Sequence, residues 1–288
     1  MLELTTIAVL DVSAASGLVA FDDRVCVIAD DETFLAVYAL DGTPLTRIPL
    51  VPDALPTAHA ERKRHKPDFE ALARLPDGSL LALGSGSTEA RTRGALLQPH
   101  YAAPASVVDL SPLYARLRTE VPELNLEGAA VAGDALWLLQ RGNGSARFNA
   151  CIELDLARVL AALTEGRALD ATALRSITPV ALGELDGVPL SFTDAVALPG
   201  GEVLFSAAAE DSPDTYADGP CAGSVVGVLS EGRVVRSVRV TPTCKIEGIA
   251  LASPRDARAS RPDACWLVAD ADDRSVPAAL FRAAFPFA

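Results

Sequence analysis

The sequence has few of the residues that build the commonest metal and redox sites. Its three histidines are too scattered for a zinc site, and its five cysteines contain no CxxC pair. Cys26, Cys151 and Cys265 lie in apolar runs and are predicted to be small core residues. Cys221 and Cys244 lie in predicted loops, where a disulfide would need an oxidising compartment. Because these residues are scarce, the candidate metal ligands are oxygen atoms, carboxylates in particular.

Long apolar runs and positive charge are also scarce. No run approaches the ~18 residues of a membrane span, and the first twenty residues carry no signal-peptide pattern. We therefore expect a cytoplasmic protein with no membrane partner. The net charge of −13, with only three lysines, argues against nucleic acid, because phosphate contacts need clustered cations. The richest basic stretch, 61–66, is more typical of a solvated loop than of an anion site.

One motif recurs along the chain. It consists of an oxygen-bearing residue, then Gly or Ala, then an apolar run. The oxygen-bearing positions are Ser16, Glu70, Glu127, Asp194 and Glu247. Their spacing of 53 to 67 residues leaves room in each unit for a tight turn and further strands. The motif therefore predicts five repeats of one structural unit.

The longest repeat contains a predicted helix over Asp155–Glu165, with Asp155 as its N-cap. A shorter helix is predicted to begin at Ser111-Pro112 and to extend towards Arg118. The remaining sequence predicts strands, so the fold class is all-β.

Four-stranded sheets repeated at about 55 residues are typical of a β-propeller. We predict one five-bladed propeller domain over residues 1–288. The last unit holds about three strands, and Leu2–Val12 would supply its fourth and close the ring. A six-bladed ring remains an alternative, which would need a unit without the motif.

In such a blade the start of the inner strand and the end of the second strand lie on the same face of the disc. We therefore expect the motif residues and the second-strand ends to meet at one mouth of the central channel. Those ends are Asp30-Asp31, Ser85-Gly86-Ser87, Arg141-Gly142-Asn143, Glu210-Asp211 and Asp270-Ala271-Asp272-Asp273.

Converging carboxylates repel one another unless a cation neutralises them. An all-oxygen set favours Ca²⁺, with Mg²⁺ as an alternative. The predicted metal ligands are Ser16, Glu70, Glu127, Asp194 and Glu247. The predicted substrate-binding residues are Lys66, Asp68, Asn125, Arg141, Lys245 and Glu210. Two alternatives stay open: the acids cap loop N–H groups, or they are the carboxylates of a glycosidase.

The same residues resemble the calcium-activated nucleotidases, which are five-bladed propellers. The likeness lies in Ser16-Gly17-Leu18-Val19-Ala20, followed by a strand ending in Asp30-Asp31, and in Lys245-Ile246-Glu247-Gly248-Ile249. Asp194 departs from that pattern, in which a serine is expected. The motifs are also similar to phytase-like and gluconolactonase-like propellers, and we expect a bacterial branch of this group. The resemblance implies a central calcium ion and leaves the substrate open.

Two functions follow from these predictions. The first is metal-assisted hydrolysis of a phosphoester, a phosphoanhydride or a lactone, with a small-molecule substrate that is anionic in the first two cases. The second is a non-catalytic propeller that binds a ligand or a protein and uses the ion structurally. In both cases we expect a monomer.

Overall fold

Each predicted repeat folds into an antiparallel sheet whose strands follow one another outward from the channel. The computed structural model describes residues 1–52, 56, 61–62, 65–101, 103–211, 220–252 and 262–287. Within these residues there are five sheets, each beginning at one of the five motifs. The five-bladed prediction is confirmed, and the six-bladed alternative is wrong.

The first three blades each use four consecutive strands. Blade 1 consists of Ala15–Ala20, Arg24–Ala29, Phe34–Ala39 and Pro44–Pro49. Blade 2 consists of Phe69–Arg74, Leu80–Gly84, Arg93–Leu97 and Ser106–Asp109. Blade 3 consists of Leu126–Ala132, Ala135–Gln140, Ala150–Asp155 and Leu174–Pro179.

In the last two blades, strands from the N-terminus are added to the consecutive strands of the chain. Blade 4 consists of Val188–Ala197, Val203–Glu210, Cys221–Ser230 and Arg233–Thr241, with a short strand Glu184–Leu185 beside the first. Blade 5 consists of Lys245–Leu251, Ala264–Asp270 and Ala279–Ala284.

The chain ends close the ring. Thr5–Val9 pairs antiparallel with Ala279–Ala284 and completes blade 5, as predicted. Leu2–Glu3 pairs parallel with Val240 and Thr241 of blade 4, which the sequence did not predict. The N-terminal segment therefore ties blades 4 and 5 together.

The hydrophobic core lies between adjacent blades. Five clusters of buried side chains fill the five spaces between neighbours. In blade 2, for example, Leu81 and Leu83 face blade 3, while Leu80 and Ala82 face blade 1. Since successive side chains of a strand point to opposite faces, a sheet covered on both faces needs apolar residues at every position. This explains why the inner strands are continuous apolar runs.

The helices lie outside the ring of inner strands. Ser111–Leu117 follows blade 2, and Leu156–Thr164 follows the third strand of blade 3. The Asp155 side chain accepts a hydrogen bond from the Arg158 N–H at 3.0 Å, so the predicted N-cap is confirmed. Short 3₁₀ turns occur at Glu89–Arg91, Pro99–Tyr101 and Ala171–Ala173. No helix among the described residues is long and apolar enough to cross a bilayer.

Candidate functional site: the acidic mouth of the channel

Every inner strand has a β-bulge near its first residues. The pairing register skips one residue in each blade, and that residue belongs to the motif in four of the five cases. The skipped residues are Ser16, Glu70, Glu127, Thr193 and Glu247. A bulge leaves one residue outside the ladder and re-aims its side chain. The recurring polar residue is therefore the one released from the sheet.

In blade 4 the sequence-based placement is wrong by one residue. Phe192 pairs with Ala207 and Asp194 pairs with Ser206, so Thr193 occupies the bulge. Asp194 takes the next position, which is Gly or Ala in the other blades. The sequence alone could not reveal this, because Asp194-Ala195 matches the motif as well as Glu70-Ala71 does. Only the register of the ladder distinguishes them.

The position after the bulge is where neighbouring inner strands come closest. A Cβ added to Gly128 would lie 3.0 Å from the backbone of Asp194, and one added to Gly248 would lie 2.9 Å from the Leu18 Cβ. This close approach is the physical reason for the small residue in the motif. It also explains how Asp194 reaches the backbone of other blades.

Asp194 is a fully buried cap between the blades. Its carboxylate accepts hydrogen bonds from the Ala195 N–H at 2.7 Å and the Ile249 N–H at 2.8 Å, and it is also hydrogen-bonded to the Leu18 N–H. Burial raises the pKa of Asp194, while these N–H groups act in the opposite direction. Asp194 therefore joins blades 4, 5 and 1, and it does not line the acidic cavity described below.

Blade 1 and blade 2 acids surround the ammonium group of Lys66. Its Nζ contacts Asp30 and lies 2.9 Å from Asp68 Oδ1 and 3.4 Å from Asp31 Oδ1. The other oxygen, Asp68 Oδ2, lies 2.7 Å from the Arg91 guanidinium and accepts a hydrogen bond from the Ser85 hydroxyl at 2.6 Å. Both oxygens of Asp68 are therefore occupied by protein groups.

On the opposite side, Arg141 and Lys245 bridge three glutamates. Lys245 Nζ lies 2.9 Å from both Glu210 Oε1 and Glu247 Oε1, and it also contacts Asp272 at 2.6 Å. Arg141 contacts Glu210 and lies 3.3 Å from Glu127 Oε1. These contacts link blades 3, 4 and 5.

Only one of the two carboxylate oxygens of Glu127 has a partner among the described residues. Asn125 Nδ2 donates to Glu127 Oε1 at 2.7 Å, and Arg141 approaches the same oxygen. Glu127 Oε2 is buried and has no hydrogen-bond partner among the described residues, and the same holds for Glu247 Oε2 and Asp30 Oδ1. Buried polar atoms are normally satisfied, so these oxygens require a proton donor or a cation.

These side chains line one cavity of about 120 Å³ at the start of the inner strands. Seven carboxylates and four cations border it, so acids are in excess. The carboxylates belong to Asp30, Asp68, Glu70, Glu127, Glu247, Asp270 and Asp272, and the cations to Lys66, Arg91, Arg141 and Lys245. The predicted meeting is confirmed for the inner-strand starts of four blades and the second-strand ends of three; the ends at 85–87 and 210–211 do not line the cavity.

The excess of acid raises several pKa values. Burial raises the pKa of Glu127 to about 8 and that of Asp30 to about 7, against the opposing effects of Arg141 and Lys66. Burial and the facing Glu127 raise the pKa of Glu70 well above its ordinary value. Burial also raises the pKa of Glu247. Burial alone would raise the pKa of Glu210 too, but Arg141 and Lys245 hold it below its usual range.

Of the eleven predicted site residues, nine line this cavity and Glu210 contacts it through Arg141 and Lys245. Asp194 is the exception. Ser16 lines the cavity but donates its hydroxyl to the Phe69 carbonyl at 2.7 Å. Sequence reasoning missed Arg91, which no motif marks. It placed Asp30 and Asp270 at the mouth as second-strand ends, but it assigned neither of them as a metal ligand or a substrate-binding residue.

One solved structure of another protein shares the fold. A glutaminyl cyclase from Myxococcus xanthus is 12% identical, with a TM-score of 0.54 over 98% of this chain and 97% of that chain. A gluconolactonase from Xanthomonas campestris is 10% identical, with a TM-score of 0.48 over 98% and 89% of the two chains. A luciferin-regenerating enzyme is 13% identical, with a TM-score of 0.47 over 96% and 78%.

At these identities the likeness concerns the fold alone, and the expected likeness to calcium-activated nucleotidases stays a prediction. No curated protein matches the sequence significantly. A family model does match it, over residues 11–285, and the chain therefore belongs to DUF6929, a family of unknown function.

Proposed function

We propose that the acidic mouth binds a divalent cation, calcium, and hydrolyses a small uncharged ester or lactone. The observation that carries this proposal is the set of unpartnered buried oxygens on Glu127, Glu247 and Asp30 in a cavity with excess acid. Buried charges in proteins are paired or coordinate metals. Protein cations satisfy only part of this set.

The ligands would be Glu70, Glu127 and Glu247, whose oxygens would have to move closer together to share one ion. Glu70 is partly exposed and has no hydrogen-bond or salt-bridge partner among the described residues. Glu127 and Glu247 each keep one oxygen free. Calcium accepts irregularly placed carboxylate oxygens, whereas magnesium demands a near-ideal octahedron, so we propose calcium before magnesium.

The acidic triplet whose oxygens already lie close together fits an ion less well for another reason. One oxygen each of Asp30, Asp68 and Glu70 lie within 4.8 Å of one another. However, Lys66 contacts both aspartates, and Asp68 has no oxygen left for an ion. In this part of the mouth the lysine ammonium takes the place that a metal ion would otherwise fill.

The same contacts limit the charge that a substrate can carry. Lys66, Arg91, Arg141 and Lys245 line the cavity, and each is already engaged by carboxylates. Among the described lining residues a phosphoester would therefore meet cations that carboxylates already hold, together with an excess of negative charge. A carbonyl substrate without charge avoids this repulsion. Ligand pockets usually measure 300–1,000 Å³, so a cavity of about 120 Å³ would take the reacting group and leave the rest of the substrate outside.

A bound divalent cation would polarise the carbonyl oxygen of the substrate. Asp30, which lines the cavity, would act as the general base. Lys66 holds its Oδ2, its Oδ1 is free, and its pKa of about 7 suits proton transfer near neutral pH. Asp30 Oδ1 would accept a proton from the water that attacks the carbonyl carbon and would return it to the leaving oxygen as the acyl C–O bond breaks. Asn125 and Arg141 position Glu127 by holding its other oxygen.

The test combines metal analysis with two variants and a control. Purified protein should contain calcium, and chelation should lower the melting temperature until calcium is restored, because binding to the native state alone stabilises it. Glu127→Gln should weaken calcium binding. Asp30→Asn should retain calcium and lose about 100-fold or more of the hydrolysis of lactone and ester substrates. Glu184→Gln, an exposed change outside the site, should behave as wild type.

A protein without an ion, whose melting curve ignores chelator and calcium, would contradict the metal assignment. An ion together with unchanged hydrolysis in Asp30→Asn would contradict the role of Asp30.

The second candidate is a non-catalytic propeller with a structural ion. The observation that favours it is that Arg141 and Lys245 already tie together acids from three blades. Calcium binding without hydrolysis of any lactone, ester or phosphoester in the screen would select this candidate.

A further inference from the structure

A second cavity lies at the far end of the inner strands and has the opposite chemistry. It measures about 430 Å³, within the size range of small-molecule sites. All five blades contribute to it, through residues such as Leu18, Leu72, Val131, Val196 and Leu251. It is independent of the acidic cavity and of the function proposed there.

The lining is apolar except for one side chain. Among the described residues that border the cavity, Arg74 is the only titratable one. It ends the inner strand of blade 2 and is exposed. Arg74 stacks over the Phe21 ring at 4.5 Å from its centroid. It has no salt bridge to a described residue, so its charge is available to a ligand.

The described walls of this cavity are preformed. Its walls are inner strands held by ladder hydrogen bonds and by the packing between blades. Small side chains at the ends of these strands, such as Ala20, Ala130 and Ala197, leave the space open. A rigid apolar cavity binds apolar molecules without the entropic cost of ordering its walls.

We propose that this cavity binds a small amphipathic anion, an apolar chain or ring carrying one carboxylate or sulfonate. The apolar part would lie against the inner strands, and the anionic group would pair with the Arg74 guanidinium at the rim. No carboxylate among the described lining residues competes for this arginine. The arrangement therefore selects anionic over cationic amphiphiles of equal length.

The experiment compares three ligands that share one alkyl chain: octanoate, octanol and octylammonium. Isothermal titration with the full-length protein, in chelator and again in calcium, should rank their affinities in that order. Because a hydrogen bond to a charged group contributes about 1.5 kcal/mol, Arg74→Gln should weaken octanoate binding roughly tenfold and leave octanol binding unchanged.

The matched control is Arg24→Gln. Arg24 lies over the same Phe21 ring, at 5.9 Å from its centroid, but it does not line the cavity. It should bind all three ligands as wild type does. Ala197→Phe places a large side chain in the cavity from a half-buried strand end and should abolish binding of all three. Ala20→Phe makes the same test from blade 1 if the first variant unfolds.

The proposal is overturned if wild type shows no preference for octanoate, if Arg74→Gln leaves that preference intact, or if a folded cavity-filling variant still binds. Since chelator and calcium act at the other end of the channel, ligand binding here should be equal in both. Failure of the calcium proposal would leave this result unchanged.

Discussion

The two ends of the channel are built from the same five strands, but one end is charged and the other is apolar. At the bulged end, seven carboxylates and four cations border a cavity of about 120 Å³. At the far end, an apolar cavity of about 430 Å³ has one charged side chain at its rim. Residues only two to five positions apart along one strand line opposite environments.

The β-bulge accounts for this difference. It releases one side chain per blade from the ladder at the strand start, so that polar residues can converge there. Beyond the bulge the strands pair regularly, and their side chains pack between blades. The comparison teaches that a local irregularity, repeated five times, separates a polar site from an apolar one. Asp194 lies between the two.

The largest expected effect concerns this boundary. Asp194→Ala removes a fully buried acceptor and leaves the N–H groups of Ala195 and Ile249 without partners. Each orphaned buried group costs about 1–3 kcal/mol, so we expect the free energy of unfolding to fall by about 4 kcal/mol. Urea denaturation measures this loss.

Glu184→Ala is the control for Asp194→Ala, since Glu184 is exposed. A loss below about 1 kcal/mol in Asp194→Ala would show that the two ends need no buried cap between them.

Asp194 also marks where sequence reasoning failed. The spacing of polar residues before small ones was sufficient to predict five blades, the ring closure and most of the acidic mouth. It could not distinguish Thr193 from Asp194, because the two differ only in ladder register, which depends on contacts with the second strand. At Asp194 the structure shows the alternative stated above, in which an acid caps backbone N–H groups.

The cations illustrate a second limit. The sequence placed Lys66, Arg141 and Lys245 near the acids and left open whether they pair with those acids or hold an anionic substrate. In the structure their partners are carboxylates, including Asp30, Glu210 and Asp272 from other strands. Those pairings join residues 27 to 69 positions apart, so no local pattern encodes them.

The next effect tests the acidic end by removing a cation. Lys245→Met leaves Glu210, Glu247 and Asp272 facing one another without their shared ammonium group. Removing one partner from a buried ion pair costs about 3–5 kcal/mol, and we expect about 3 kcal/mol at pH 8. The loss should shrink at pH 5, where the carboxylates can take up protons.

Lys245→Arg keeps the charge and is the matched control. Denaturation at both pH values distinguishes lost charge from lost packing, because a packing defect would not depend on pH.

A smaller effect should appear in the wild-type protein as pH rises. The folded pKa of Glu127 is about 8, above its ordinary value of 4.5, so the folded state binds the proton that the unfolded state has released. Stability is therefore greatest below the unfolded pKa and falls as pH rises through the folded one. Between pH 6 and pH 8, in chelator, we expect a loss of about 2 kcal/mol.

Glu127→Gln should reduce this pH-dependent loss, and saturating calcium should reduce it as well, because a cation favours the ionised carboxylate. Stability that rises over the same interval in chelator would show that the acidic end is ionised without an external cation.

The smallest effect is expected at the apolar end. Arg74→Gln removes the one titratable side chain described there, yet this guanidinium has no salt bridge to a described residue and only stacks on Phe21. An exposed cation–π contact contributes about 0.5–1 kcal/mol, so the free energy of unfolding should change by less than about 1 kcal/mol. Arg24→Gln, which removes the other guanidinium over the same ring and its pairing with Asp23, is the comparison. A loss as large as that of Lys245→Met would mean that the charge at the apolar end is structural, as it is at the acidic end. A small loss together with the tenfold drop in octanoate binding would assign this arginine to a ligand.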